Sequence, residues 1–333
     1  MSDAVEVAFH RAALRLVPER THVLVAVSGG GDSVALLHLM RRFAARREIA
    51  LTVAHLDHAL RRGSAQDSRF VVGLAASLSI PCLAGKRAVR EARRRDESLE
   101  EAARRVRRAF LLESAETAGA DAIATGHTQD DQAETILMRL ARGAGPTALA
   151  GMSAAGPGPF VKPLLTIERA ALRLWLRKKR IPFRDDPSNA SLAFDRNRVR
   201  HLVVPALADA LNPAAARHLV EAAGRLREDA AYLDAVAQAR FDAIASRRGA
   251  VLAVEASALA ALPHPIAARV ALIALAAAGC DPRRISSRNV EAILALATAP
   301  LRSTCDLPGP VSASRNRTEL VLTHARGLRR PRV

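Results

Sequence analysis

The sequence predicts an α/β fold with a doubly wound, mostly parallel sheet, followed by a smaller, mainly α-helical C-terminal domain. Short apolar runs alternate with helical patterns from the N-terminus to about residue 142. Fully apolar strands separated by helices are typical of a parallel sheet that is covered on both faces. From about residue 214 the sequence changes to alanine- and leucine-rich helical patterns with scattered arginines. We therefore predict a first domain over residues 1–211 and a second over residues 212–333.

The elements of both domains follow from these patterns in order. An amphipathic helix over about residues 3–17 comes first. Four strands are predicted over residues 23–27, 51–55, 80–83 and 120–125, with helices between them over residues 34–46, 66–79 and 98–117. Residues 143–159 are rich in glycine and proline and predict a long loop, which a helix over about residues 167–180 follows. In the second domain, strand-like pieces occur around residues 301–307 and 320–323, and residues 326–332 make up a basic tail.

A glycine-rich loop, Ser28-Gly29-Gly30-Gly31-Asp32-Ser33, lies between the first strand and its helix. Glycines let several backbone N–H groups converge, and the start of the helix adds partial positive charge, so the loop suits an anion. Asp32 repels a phosphate unless a divalent cation lies between them. The loop lacks the lysine of a Walker loop and the spacings of dinucleotide and hydrolase motifs. We expect a nucleotide polyphosphate with Mg²⁺, the alternative being a glycine-rich turn without a ligand.

Two further polar clusters follow predicted strands, over residues 55–61 and 126–135. In parallel sheets, ligands bind beyond the carboxyl ends of the strands, so we expect these clusters and the glycine-rich loop to share one edge. Asp131 and Glu134 are three residues apart and lie on one face of a helix that starts near Asp130. Such a pair suits a cationic ligand. The alternative is helix capping by Asp130 or Asp131 with Glu134 as an acid in the first turn.

The composition favours a polyanionic partner. The chain has 50 Lys and Arg against 33 Asp and Glu, a formal net charge of +17. Most of the positive charge is carried by arginine. A general bias for Arg over Lys accounts for part of that choice, but it does not explain why the net charge is positive. Cys82, Cys280 and Cys305 are far apart, which argues against a disulfide framework, a zinc ribbon or an iron–sulfur cluster. With no secretory pattern and no long apolar run, we expect a cytoplasmic protein that does not enter a membrane.

Several blocks of this sequence closely resemble the tRNA(Ile)-lysidine synthetases, which belong to the PP-loop ATP pyrophosphatases. They run in family order from about residue 23 to residue 207. The blocks are SGGGDS, HLDHALR, SLEEAARRVRR, GHTQDDQAETILMRLARGAG, ALAGM, KPLL and DDPSN followed by DRNRVRHLVVPAL. Thr128 and Asp57 depart from the residues frequent in the family, so neither is assigned chemistry.

The resemblance implies a two-step ligase reaction that modifies tRNA. ATP adenylates the C2 oxygen of the wobble cytidine of tRNA(Ile) with a CAU anticodon, and pyrophosphate is released. Free L-lysine then displaces AMP to give lysidine. The expected co-substrates and cofactor are therefore ATP, L-lysine and Mg²⁺, and the second domain is expected to bind tRNA. The alternatives are another PP-loop tRNA-modifying enzyme and a catalytically silent tRNA-binding paralogue.

The resemblance also implies roles for single residues. Arg104 and Arg107 are expected to contact nucleotide phosphate, and Arg196 and Arg200 to neutralise charge on the α-phosphate, the alternative being a solvated basic helix face. The expected ATP site is Ser28, Gly29, Gly30, Gly31, Asp32, Ser33, His55, Arg104, Arg107 and Gly126. The expected catalytic residues are Asp32, His127, Arg196 and Arg200, with Asp32 as the Mg²⁺ ligand and Asp131 and Glu134 as the lysine site. A structural histidine is the alternative for His127.

Overall fold

The structure, a computed structural model, describes residues 3–58, 63–185, 191–282 and 284–324. The chain divides into two compact units, Met1–Arg225 and Leu226–Val333. This division falls inside a long helix, Ala215–Ile244, whereas the predicted boundary lies in the turn before that helix. The composition changes where the helix begins, but the packing changes partway along it.

The first unit is built on a five-stranded sheet in the order β3-β2-β1-β4-β5, and every neighbouring pair is parallel. This confirms the predicted parallel sheet. The strands are β1 (His22–Ala26), β2 (Ala50–Asp57), β3 (Cys82–Lys86), β4 (Ala122–Ala124) and β5 (Phe160–Val161). The three central residues of β1 are fully buried, as expected for a strand with helices on both sides.

Helices on both faces of this sheet complete the unit. The helices are α1 (Ala4–Leu16), α2 (Gly31–Ala44), α3 (Ser64–Ser77), α4 (Val89–Ala92), α5 (Leu99–Ala118), α6 (Gln129–Leu140), α7 (Pro146–Leu149), α8 (Arg169–Lys178), α9 (Asp195–Arg198) and α10 (Val204–Ala210), with a π-helical turn at Val199–Val203 between α9 and α10. A further helix, α11 (Ala215–Ile244), begins in this unit and ends in the second. Apolar side chains of α1, α2 and α8, including Phe9, Met40 and Trp175, form one core with β1. Burial of such side chains provides most of the stabilisation of the unit.

Local signals fix where two of the helices begin. Ser98 and Glu101 form a capping box at the start of α5, and Gly119 ends that helix in the left-handed conformation with φ of 64°. Thr128 and Asp131 form a second capping box at the start of α6. The acidic face of α6 is therefore held at the carboxyl end of β4, where the short loop after the strand leads directly into the helix.

The structure differs from the prediction in the segment 143–159. This segment contains the single-turn helix α7 and leads into β5, a strand that the sequence did not indicate. A two-residue strand has no periodicity to detect. The motif letters at residues 59–61 and 186–189, and the basic tail at 326–332, lie outside the described residues.

The second unit combines helices with a five-stranded antiparallel sheet in the order β6-β7-β10-β9-β8. After the end of α11, its elements are β6 (Ala245–Arg248), β7 (Val251–Glu255), α12 (Ala256–Ala260), α13 (His264–Ala277), α14 (Ser287–Thr298), β8 (Thr304–Asp306), β9 (Val311–Arg315) and β10 (Glu319–His324). The apolar faces of α13, α14 and the sheet form a separate core. No helix in the described part of the chain is long and apolar enough to cross a bilayer.

Candidate active site

The glycine-rich loop is shaped by its own serines and glycines. Ser33 Oγ donates to the carbonyl oxygen of Gly30 at 2.9 Å and accepts from the N–H of Ser28 at 3.1 Å. Gly29 has φ of 93°, a conformation that side-chain-bearing residues rarely adopt. Gly30 is the N-cap of α2 and provides no side-chain cap. The first N–H groups of this 14-residue helix are therefore left for a ligand, and a ligand in this position is expected to be an anion.

A cleft of about 850 Å³ lies at the carboxyl ends of β1, β2 and β4. It brings together residues of the glycine-rich loop, of the end of β2 and of the start of α6, as the sequence predicts for a parallel sheet. The predicted site residues that line it are Ser28, Gly30, Gly31, Asp32, Ser33, His55, Arg107, Gly126, His127, Asp131, Arg196 and Arg200. Three other predicted site residues, Gly29, Arg104 and Glu134, are not among the residues that line it.

Gly126 allows the loop after β4 to approach the glycine-rich loop closely. A Cβ atom at this position would lie 3.2 Å from the backbone N and Cα of Ser33 and 3.3 Å from the carbonyl carbon of Asp32. Both contacts are with backbone, which cannot turn aside as a side chain can. No side chain therefore fits at position 126 without pushing the loop after β4 away from the start of α2.

Asp131 divides its two oxygens between capping and ion pairing. Oδ2 accepts from the N–H of Thr128 at 2.7 Å and from its hydroxyl at 3.0 Å, while Oδ1 accepts from Arg169 at 2.9 Å and Arg196 at 3.0 Å. Burial opposes the charge on Asp131, but the two guanidinium groups and the Thr128 amide outweigh it and lower the pKa to about 2. The capping alternative and a charged role in the cleft are therefore compatible.

Glu134 lies beneath the cleft with its side chain 2% exposed. Its Oε2 accepts from Nε of Arg196 at 2.7 Å, and its Oε1 accepts from Nε of Arg200 at 2.7 Å. These arginines come from α9 and the π-helical turn, more than 60 residues along the chain. A buried carboxylate held by two guanidinium groups fixes the planes of both. We name Arg169, Arg196 and Arg200 the cleft arginines.

Arg169, the first residue of α8, is a site residue that the sequence reasoning missed. Its Nε donates to Oδ2 of Asp32 at 2.9 Å, and Nη2 donates to Oδ1 of Asp131. Its side chain is only 16% exposed. Burial disfavours its charge, yet Asp131 and Asp32 outweigh this and raise the pKa of Arg169. Arg169 follows the KPLL block near the start of a predicted helix, and this position was the one signal available in the sequence. Its partner Asp32 is 137 residues away in sequence, so the ion pair has no local signature.

His127 lies in the cleft with Nδ1 3.0 Å from the hydroxyl oxygen of Thr125. Burial is the main cause that lowers its pKa to about 4. Arg107 and Arg196 add to this lowering, and Asp131 opposes it. The imidazole is therefore neutral near pH 7 and is able to accept a proton or a hydrogen bond.

His55 is buried in the wall of the cleft, with Nδ1 2.8 Å from the carbonyl oxygen of Val27. A carbonyl only accepts, so Nδ1 carries the proton and Nε2 of the neutral ring is an acceptor. Among the described residues, this Nε2 atom has no hydrogen-bond partner. Burial and the neighbouring Arg107 lower the pKa of His58, at the same strand end, to about 4.

A second group of cations lies around the segment 143–159. Arg139 donates to the carbonyl oxygens of Ala148 and Gly151, Lys162 to Ser153, and Arg108 to Pro157. Burial and the nearby charge of Arg104 lower the pKa of both Arg139 and Lys162. None of these cations forms an ion pair with a carboxylate of the described residues. We name Arg104, Arg108, Arg139 and Lys162 the loop-side cations.

The residues present fit Mg²⁺ in combination with a phosphate ligand. Mg²⁺ is usually held by one or two carboxylates together with substrate phosphates, and Asp32 supplies a carboxylate directly beside the anion site of α2. No group of three or more metal-ligating side chains occurs in the described residues, as expected where phosphates and water complete the coordination. Burial raises the pKa of Asp32, and the ion pair with Arg169 opposes this rise.

The comparisons with known proteins agree with this geometry. A family model for the PP-loop domain matches residues 5–207. Among solved structures, the U34-tRNA thiolase NcsA from Methanococcus maripaludis with its [4Fe-4S] cluster superposes with a TM-score of 0.58. The match covers 67% of this chain and 78% of that chain, at 16% identity. This similarity shows the fold alone.

Curated relatives carry the name tRNA(Ile)-lysidine synthase. The one from Thermus thermophilus is 40% identical over 97% of this chain and 62% of its own length. The one from Geobacter sulfurreducens is 40% identical over 81% of this chain and 58% of its own length. This chain thus spans about three fifths of the length of these relatives. The relative from Salinispora arenicola is 37% identical, and the match covers 86% of each chain. The chain therefore belongs to the tRNA(Ile)-lysidine synthase family of PP-loop proteins.

Proposed function

We propose that this chain is an ATP-dependent ligase that converts the wobble cytidine of a CAU-anticodon tRNA(Ile) to lysidine in the cytoplasm. One cleft that joins an anion site, the ionised carboxylate of Asp131 and a neutral histidine supports this activity best. Family membership agrees with it. The co-substrates are ATP and L-lysine, and Mg²⁺ is the cofactor.

In the first step, the C2 oxygen of cytidine attacks the α-phosphorus of ATP, and the bond to the β-phosphate breaks to release pyrophosphate. The N–H groups at the start of α2 and the glycine-rich loop hold the phosphates. Mg²⁺ held by Asp32 would neutralise the charge of the leaving pyrophosphate. Arg196 and Arg200 stabilise the charge on the α-phosphate, because Glu134 fixes their orientation.

In the second step, the amine of lysine attacks C2 of the base, and the C2–O bond breaks to release AMP. The ammonium group of lysine has to lose a proton before its nitrogen can attack, and neutral His127 in the same cleft is an acceptor for that proton. We assign the lysine site to Asp131 and Glu134, as the family resemblance implies. Arg107 on α5 lines the cleft and contributes positive charge toward the phosphates of ATP, whereas Arg104, one turn earlier on the same helix, is not among the residues that line it.

Residues of the second unit and the loop-side cations hold the tRNA body in this proposal. Strong net positive charge favours association with RNA phosphates. With one Trp and one Tyr in the sequence, stacking on bases falls largely to arginine.

The direct test is incubation of the chain with ATP, Mg²⁺, radiolabelled L-lysine and total tRNA, followed by digestion and nucleoside analysis. Label in a modified cytidine is the expected result, and omission of ATP should abolish it. Label that stays in free lysine, with active tRNA and ATP present, would contradict the proposal.

Another tRNA-modifying PP-loop reaction is distinguished by the same assay. Thiolation on this scaffold needs cysteines close together, and Cys82 is the only cysteine of residues 1–225. A silent tRNA-binding paralogue would bind tRNA without ATP–pyrophosphate exchange. Exchange that requires Asp32 would exclude that alternative.

A further inference from the structure

One guanidinium joins the two carboxylate sites of the cleft. Arg169 donates from Nε to Asp32, the proposed metal ligand, and from Nη2 to Asp131, part of the proposed lysine site. Its Nη1 lies 3.5 Å from Oε1 of Glu134. The side chain is largely buried between these carboxylates. A change in the ion pair with one of them therefore alters the position of the guanidinium that pairs with the other.

In this arrangement every oxygen of the acidic pair, Asp131 and Glu134, already accepts a hydrogen bond from within the chain. Asp131 Oδ2 is taken by Thr128, and Oδ1 accepts from Arg169 and Arg196. Both oxygens of Glu134 accept from arginines at 2.7 Å. Three guanidinium charges already compensate these two carboxylates, so we expect an ammonium to bind the pair tightly only when one of the cleft arginines withdraws.

Arg169 is the cleft arginine whose withdrawal is easiest to cause. Arg196 and Arg200 are each held by a 2.7 Å bond to buried Glu134, whereas the contact of Arg169 with Glu134 is 3.5 Å long. Arg169 makes two 2.9 Å bonds to carboxylates, one to Asp131 and one to Oδ2 of Asp32, which lies beside the anion site. A divalent cation at Asp32 competes for that oxygen and repels the guanidinium. Phosphates at the start of α2 offer the displaced donors new acceptors.

We propose that Arg169 is a positioning residue that makes lysine binding depend on prior binding of MgATP. Its guanidinium stays bound to Asp131 and Glu134 until the metal binds Asp32. This inference rests on the proposed function, because it concerns the lysine and nucleotide sites assigned there. Its consequence is an order of binding in which nucleotide precedes lysine.

The test measures equilibrium binding of radiolabelled L-lysine to the full chain, with and without Mg²⁺ and α,β-methylene ATP, which resists cleavage at the α–β bond. We expect wild-type protein to bind lysine about fivefold or more tightly with the nucleotide present, the lower range of coupling between sites. Arg169→Gln should bind lysine tightly without nucleotide and show a ratio of affinities close to one. Arg177→Gln removes an exposed positive charge from the same helix and should keep the wild-type ratio.

Arg169→Lys keeps the test decisive if Arg169→Gln does not fold, since removing one partner of a buried ion pair is costly. Lysine retains the charge but lacks the fork that reaches Asp32 and Asp131 together, so we expect the ratio to fall here as well. A wild-type ratio in the folded variants overturns the inference while the proposed function stands. If wild-type protein binds no lysine in either condition, the lysine site fails, and the proposed function and the inference fail with it.

Discussion

The cleft arginines and the loop-side cations are similar residues in opposite surroundings. The cleft arginines are paired with carboxylates at 2.7 to 3.0 Å, and their side chains are between 16% and 26% exposed. Among the described residues, Arg108, Arg139 and Lys162 donate hydrogen bonds to backbone carbonyls, and Arg108 also lies 4.3 Å from the centroid of the Phe160 ring. None of the four loop-side cations is paired with a carboxylate there. Paired charges fix geometry, whereas unpaired charges leave a net field. Positive charge alone therefore does not reveal which arginines act in chemistry and which attract a polyanion.

Removing a carboxylate from the cleft should have the largest effect. Asp32→Ala deletes the proposed metal ligand and leaves Arg169 without its 2.9 Å partner. We expect tRNA adenylation to fall by roughly a hundredfold to a thousandfold, because charge on the leaving pyrophosphate is no longer compensated. Transfer of labelled AMP to tRNA measures this, with thermal unfolding as the check that the variant is folded. Near wild-type adenylation would remove Asp32 from the mechanism.

His127 tests whether the cleft charges act on chemistry. Its pKa of about 4 means that the ring gains a proton only as the pH falls through about 4. We expect kcat/KM for lysidine formation to keep its acid limb well below pH 6.5, and His127→Gln to lower this activity by about a hundredfold. The lowered pKa also makes the folded state lose stability as the pH falls from about 6.5 towards 4, so unfolding is measured at each pH.

Two single-charge variants sharpen the pH experiment. Arg107 is among the charges that lower the pKa of His127, and Arg104 is not. Arg107→Gln should therefore move the acid limb to higher pH, while Arg104→Gln should leave it in place. An equal shift in both variants would mean that general surface charge, rather than the cleft, sets this pKa.

Glu134→Gln separates positioning from binding. The change leaves the guanidinium groups of Arg196 and Arg200 beside a neutral side chain in a buried site, and we expect a loss of stability of about 3 to 5 kcal/mol. In the folded protein, KM for lysine should rise because a neutral amide attracts the ammonium less, and AMP transfer should fall by a smaller factor because Arg196 and Arg200 lose their shared carboxylate partner. Glu97→Gln is a matched control, because its carboxylate pairs with Arg105 away from the residues that line the cleft. An unchanged KM for lysine would assign Glu134 to structure alone.

The smallest effect is expected on the loop side. Arg104→Gln should weaken tRNA binding a few-fold and reduce the log–log salt slope by about 0.7 to 0.9, the contribution of one phosphate contact. Arg169→Gln should leave that slope unchanged, because its charge is already compensated. Filter binding at several salt concentrations measures both. Equal slopes for wild type and Arg104→Gln would show that Arg104 makes no phosphate contact.

The sequence predicts the first unit well because its signals are local. Apolar runs, the capping box at Ser98 and the glycines before α2 each act within a few residues. The partners of Asp131 and Glu134 could not be predicted in the same way. Arg169 and Arg196 reach these carboxylates only after the chain has folded, across 38 and 62 residues of sequence.

In the second unit, three strands lie outside the predicted pieces. Val251–Glu255 carries a clear apolar run that the prediction overlooked, whereas the other two are weakly patterned. Ala245–Arg248 carries mostly exposed polar residues, and Val311–Arg315 alternates valine and alanine with small polar residues. Their pairing with β7 and β10 gives these segments their strand conformation, and pairing across distant segments has no local signature. The change in composition near residue 214 was visible because it marks the start of α11.

The absence of a side chain at Gly126 permits a short spacing between two loops of the cleft. A Cβ atom there would lie 3.2 to 3.3 Å from the backbone of Ser33 and Asp32, so any larger residue would force the loop after β4 away from the glycine-rich loop. The separation between the starts of α2 and α6 depends on this one residue. The geometry of the whole site is therefore sensitive to the addition of a single Cβ atom at position 126.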